Sequence, residues 1–245
     1  MGKEARKTGP SSPRMGCLFV VLLLLAAFVA VQIYTWPTTN RYRITVRVET
    51  PEGLRTGSSV VEVKTSRQLE LLPDIGPYWM ELTGEAVAVD LPGTQTLFAL
   101  LRQRDGLPLD HIILYALGKI DGDPGRPARE RAILHFWASD TRGQRQSPDQ
   151  LAGHPLLVRF ANARDPKSVE EVDPRNLAKS FGPGVRLKNI TVEIVDSPET
   201  KSILQRLPWL PEYRDKQFSG KQYISSYDLA DNLAAGAFKA GGYDE

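Results

Sequence analysis

Fifteen consecutive apolar residues, Cys17 to Val31, sit behind a basic amino-terminal segment and constrain this chain more than any other feature. Continued to Trp36 the stretch counts 20 residues, interrupted by Gln32 and Thr35. At about 1.5 Å per helical residue it reaches roughly 30 Å, the thickness of a bilayer's hydrocarbon core. A cleaved secretory signal is the rival reading, since it also pairs a basic start with an apolar core. The small-x-small cleavage pattern is missing: cutting after Ala30 places Phe28 at the −3 position, and cutting after Ala27 places Leu25 there. Tyr34 and Trp36 stand where an interfacial aromatic belt anchors a span, and Pro37 suits a helix exit. The expectation is an uncleaved single-span anchor over residues 16–36, in contact with the lipid bilayer.

Lys3, Arg6, Lys7 and Arg14 precede the span, against Glu4 alone, and Arg41, Arg43, Arg47 and Arg55 follow it. Long domains translocate largely regardless of charge, so the second group weighs little. The expected topology is a basic cytoplasmic tail (1–15), the transmembrane helix (16–36), a β-rich ectodomain (37–210) and a loop-rich C-terminal extension with a short helix (211–245). In a bacterium this places the C-terminal domain in the periplasm, tethered to the inner membrane. The single cysteine, Cys17, lies in the span, so no disulfide can form within the ectodomain.

The whole chain has 31 Lys+Arg and 29 Asp+Glu; removing residues 1–36 leaves 27 basic and 28 acidic. The remainder is electrically balanced. Binding nucleic acid needs a basic face that displaces phosphate counterions, and no basic run interleaved with aromatics occurs.

Beyond the span the pattern is mostly that of strands. Tyr42, Ile44, Val46 and Val48 alternate with Arg43, Thr45, Arg47 and Glu49, a half-buried strand. After Pro51-Glu52-Gly53, the stretch Ser58 to Thr65 repeats the alternation, predicting an antiparallel pair over 41–65. Residues 66–83 read as irregular, and Glu85 to Leu91 as a third strand. Thr96 to Arg102 and His111 to Ile120 are ambiguous between helix and strand. Arg131 to Ala138 and Pro155 to Asn162 are further apolar runs. Asp165-Pro166 and Asp173-Pro174 each place an N-cap carboxylate before a proline, as at helix starts. Val185 to Val195 is a strand, and Ser226 to Phe238 a short terminal helix. The fold class expected is mainly β: a single-span anchor followed by an antiparallel β-sandwich-like domain with short helices.

Asp165-Pro166, Val172-Asp173-Pro174, Phe181-Gly182-Pro183-Gly184-Val185, Ile190-Thr191-Val192-Glu193-Ile194 and Leu207-Pro208-Trp209-Leu210 together resemble a family of uncharacterised bacterial single-span membrane-anchored proteins of unknown function. The resemblance covers about a fifth of the chain. It implies a bacterial envelope setting and supplies no activity.

No residue set announces chemistry. His111, His135 and His154 have spacings that match no short metal motif. Asp121-Gly122-Asp123-Pro124-Gly125 begins like a calcium loop, but Arg126 and Ala132 occupy the positions that need glycine and glutamate; a polar turn is the simpler reading. Asp110-His111 could be half of a triad, yet no nucleophile elbow, S-x-x-K, H-E-x-x-H or phosphate loop accompanies it. Glu170 and Glu171 are adjacent and point different ways on a helix or strand. Asn189-Ile190-Thr191 matches a glycosylation sequon in mid-strand. The remaining set is aromatic: Tyr78, Trp79, Trp209 and Tyr213 lie in Pro-rich segments, where they either close the ends of the core or form a partner surface. The functional expectation is a membrane-anchored envelope protein whose β-rich domain contacts another envelope protein or a surface component, with these four residues as the candidate binding face and without metal or cofactor. The alternative is an envelope hydrolase or glycan-processing enzyme whose site carries no recognisable motif.

Overall fold

The computed structural model describes residues 13–68, 78–104, 106–117, 130–134, 154–222 and 228–242, with the side chains of the first helix described from Phe19 onward. The chain divides into two compact units, Met1–Pro37 with Ser66–Trp79, and Thr38–Thr65 with Met80–Glu245. The first unit holds helix α1 (Pro13–Tyr34). There the Arg67 guanidinium lies 5.5 Å from the Tyr34 ring centre, and the Thr35 hydroxyl donates to the Val31 carbonyl at 2.9 Å. Among the described residues no helix is long and apolar enough to cross a membrane.

Strands dominate, 39% against 27% helix, so the chain is mainly β. β1 (Thr38–Thr50) and β2 (Gly53–Arg67) form the expected hairpin, with Thr50 opposite Gly53 and Tyr42 opposite Val61. β3 (Tyr78–Glu85) follows, then β4 (Val87–Leu91) and β5 (Gln95–Ala99). Helix α2 is Leu109–Ala116, β6 Arg131–Ile133, β7 Leu157–Phe160 and β8 Val169–Glu171. The rest is α3 (Ala178–Phe181), β9 (Arg186–Ile194), α4 (Ile203–Arg206), α5 (Leu229–Asn232) and β10 (Lys239–Ala240). They build a six-stranded sheet in the order β10-β3-β2-β1-β9-β6 and a four-stranded sheet β4-β5-β7-β8. The pairings with a defined register are antiparallel.

One core joins the two sheets. Tyr42, Ile44, Val46 and Val48 of β1, Val61 and Val63 of β2, and Ile190 and Val192 of β9 pack in one cluster with Val87, Val89, Leu97 and Leu157 of the smaller sheet. Helix α2 adds Leu109 and Ile113, and Leu117 just beyond its end joins them. A second core uses the alternate residues of the smaller sheet, Phe98, Val158 and Val169, and covers them with Ile203, Leu207, Leu210, Phe218, Leu233 and Phe238. The smaller sheet is therefore buried on both faces. That explains why Thr96 to Arg102 and Pro155 to Asn162 show no alternation: a strand with two apolar faces reads as an unbroken apolar run. Thr96 to Ala99 proves to be strand and Leu109 to Ala116 helix.

At Gly57 of β2, which is buried, a Cβ would fall on the Ala88 carbonyl oxygen of β4. Gly84, at φ +139°, lets β3 pass β2, since its Cβ would stand 2.8 Å from Val61 Cγ1. Only a residue without a side chain fits either approach.

Three expectations change. Residues 78–83, read as irregular, belong to β3, which ends at Glu85, and the strand expected over Glu85 to Leu91 begins at Val87 as β4. The Asp173 carboxylate accepts from the Arg175 N–H at 2.9 Å in a local turn, and the helix begins later, at Ala178. The terminal helix is a single turn, α5, capped by Asp228 and followed by a 3-10 turn at Ala235–Ala237. Asp165 does cap a helical turn, accepting from the Lys167 N–H. Residues 121–127 and 135–138 lie outside the described residues, as does His135.

Candidate functional site

The aromatic set divides. Trp209 and Tyr213 touch, ring centres 5.6 Å apart and edge to face, in the second core. Trp209 also meets Phe160 and Phe218 edge to face, at 5.5 and 5.2 Å, and its indole N–H donates to the Ala163 carbonyl at 2.8 Å. Phe218 and Phe238 extend the stack at 5.6 Å. Such contacts hold an aromatic layer over the smaller sheet. Tyr78 and Trp79 belong to the other unit. On β3, Trp79 and Glu81 take the exposed face while Tyr78, Met80 and Leu82 take the half-buried one. Trp79 is 60% exposed, the one member of the four that offers most of its surface to solvent.

The outer face of the larger sheet carries charges in register. Glu193 of β9 is held by Arg43 of β1 at 3.2 Å and by Arg131 of β6. Glu49 is held by Arg186 and, at 3.3 Å, by Lys188; Arg41 pairs with Glu62 at 3.0 Å. The arginines hold the Glu193 and Glu49 carboxyls below the usual carboxylate range. This is a solvated lattice of cross-strand pairs.

His111 is exposed, and its backbone N–H, rather than its ring, donates to the Asp110 carboxylate at 2.8 Å. His154 is 2% exposed, with Nδ1 2.6 Å from the Pro155 carbonyl; burial pushes its pKa down. Glu170 pairs with Arg159 and Glu171 with Arg104, so the two acids diverge. Asn189 faces Arg47 in mid-strand. Among the described residues no group of three His, Cys, Asp or Glu side chains could hold a metal ion.

A cleft of about 430 Å³ that no sequence motif marks lies between β3, the start of α2 and the segment 232–240. Met80, Leu82 and Ala240 supply apolar wall, and Asp110, Gln217 and Arg102 supply polar groups. Asp110 is 4% exposed. No short motif could have marked it, because its lining comes from positions 80 to 240 and contains no repeated spacing.

No family model matches the chain, and no curated protein or solved structure matches it. Its class is therefore defined by architecture: a mainly β protein of two antiparallel sheets.

Proposed function

We propose that this is a single-span, membrane-anchored envelope protein that presents its β-rich domain to another envelope protein. The observation that carries the reading is the state of α1. Every residue from Phe19 to Tyr34 is exposed, with Phe19 at 63%, Leu24 at 66% and Ile33 at 71%. An amphipathic helix would bury one stripe on protein; a helix apolar all round with no covered stripe calls for an apolar solvent. Its backbone bonds are internal, as a lipid surround requires. The apolar stretch of the sequence from Cys17 to Trp36 would reach roughly 30 Å as a helix, about the thickness of a hydrocarbon core. The basic residues before it favour a cytoplasmic amino terminus, with the domain in the periplasm.

Partner contact is assigned to Trp79, because exposed aromatics rimmed by polar residues are favoured anchors at protein interfaces. A photo-crosslinking residue at position 79 in cells should trap one discrete envelope partner, whereas the same residue at 213 should trap none. Absence of any adduct at 79 would remove the binding role from that face. A reporter fused after Glu245 should be active only outside the cytoplasm; cytoplasmic activity would overturn the topology.

A further inference from the structure

We propose that the edge of β3 from Met80 to Thr83 takes up an extended segment of a partner protein as an added strand, with apolar residues over the cleft and a basic residue beside Glu81. This deepens the partner-presenting reading and rests on it. β3 has β2 on one side and, on the other, the two residues of β10, with Lys239 opposite Glu85 and Ala240 opposite Gly84. The Ala86 N–H donates to the Phe238 carbonyl at 2.8 Å where that ladder begins. The ladder then stops. Gly241 adopts φ +91° and takes the chain out of the extended conformation that pairing needs. Among the described residues no strand pairs with β3 on that side between Met80 and Thr83. Four residues of edge span about 13 Å, and their outward N–H and C=O groups are a template for another strand.

The side chains define the strand that fits. Successive residues of an added strand face opposite sides of the sheet. On one side Met80 and Leu82 line the cleft together with Leu101, Ala237 and Ala240, so the incoming residues there are apolar. On the other side Glu81 is exposed, and among the described residues no cation pairs with it. Opposite charges across a ladder stabilise it and like charges oppose it. A second copy paired through the same edge would bring two Glu81 carboxylates onto one short ladder. The occupant is therefore a segment of a different protein, with Lys or Arg beside Glu81. Backbone hydrogen bonds supply its affinity and the alternating side chains its specificity.

The probe is a cyclic β-hairpin peptide whose free strand alternates valine and lysine, added to the full chain in detergent. Amide hydrogen exchange of residues 80–83 is followed by NMR. In the free chain the amides directed at β2 should exchange slowly and those directed at the edge fast. The hairpin should slow the edge amides by about tenfold or more, since exchange then requires the added strand to open. The same hairpin N-methylated along its free strand should slow none of them. Glu81→Lys, at an exposed position, should weaken the valine–lysine hairpin by roughly two- to fivefold and favour a valine–glutamate one, the range of a cross-strand charge pair. Edge amides already slow in the free chain, slowed by raising the protein concentration alone, unmoved by the hairpin, or slowed equally by its N-methylated form would each overturn the proposal. Crosslinking at position 79 reads the broader claim separately: capture there with an unresponsive edge leaves a partner that does not add a strand.

Discussion

Glu85 and Lys239 stand opposite each other in the β3–β10 ladder and also pair through their side chains, Nζ to Oε1 3.3 Å. Both side chains are buried, at 3% and 11% exposure. The other carboxylate oxygen of Glu85 accepts the N–H groups of Ser202 and Ile203, the latter at 2.9 Å, where α4 begins. One carboxylate thus ties the larger sheet, the C-terminal strand and the layer that covers the smaller sheet.

Glu85→Ala should therefore be severe. It breaks the buried pair with Lys239 and strands two helix-start donors together, and breaking a buried pair in this way costs about 3–5 kcal/mol. Urea unfolding followed by tryptophan fluorescence measures it. Lys239→Ala should lose less, because the N–H groups of Ser202 and Ile203 continue to satisfy the carboxylate.

Gly57→Ala should destabilise the chain by about 1–3 kcal/mol, the cost of overpacking a filled core. The added methyl meets backbone, the Ala88 carbonyl, which cannot rotate away. The same substitution at Gly236, where a Cβ meets nothing within 4 Å, is the control and should be nearly silent.

The aromatic set should split under mutation as it does in space. Trp209→Ala removes contacts to Phe160, Tyr213 and Phe218 and should cost about 3 kcal/mol. Trp79→Ser, at a position 60% exposed, should change stability by no more than about 0.5 kcal/mol while abolishing partner capture. Equal losses of stability at both positions would remove the distinction.

Stability should fall as pH drops below the ordinary imidazole value of 6.5, because burial lowers the folded pKa of His154. Between the two values the unfolded chain binds a proton that the folded chain refuses, so acid favours unfolding; above 6.5 the contribution is complete. His154→Gln should flatten this part of the profile. Glu193, Glu49 and Asp90, each lowered chiefly by hydrogen bonds from arginines, act at more acid pH. Their stabilisation is full above the usual carboxylate range and is lost as pH falls through their depressed values. Substituting Glu193 by Gln should trim only that acid limb.

Much of the β framework was legible because β1, β2 and β9 bury one face and keep the other wet, so alternation survives in the sequence. The smaller sheet hid itself for the opposite reason: Phe98 and Leu97 go to different cores, and both must be apolar. β3 was lost because Tyr78 to Thr83 follows Pro73, Gly76 and Pro77, and Gly84 owes its place to a close approach to Val61 that no local pattern encodes. The aromatic quartet was legible as a group of residues but not as two separate roles, since the partners of Trp209 at Phe160 and Phe218 are distant or loop-borne. The cleft was invisible: Asp110 drew notice through its neighbour His111, and Gln217 through nothing.

Alkaline carbonate extraction of membranes carrying the full chain tests the anchor most directly. A helix clothed in apolar side chains on every side should keep the protein in the membrane pellet at high pH. Recovery of the intact protein in the soluble fraction would contradict the account.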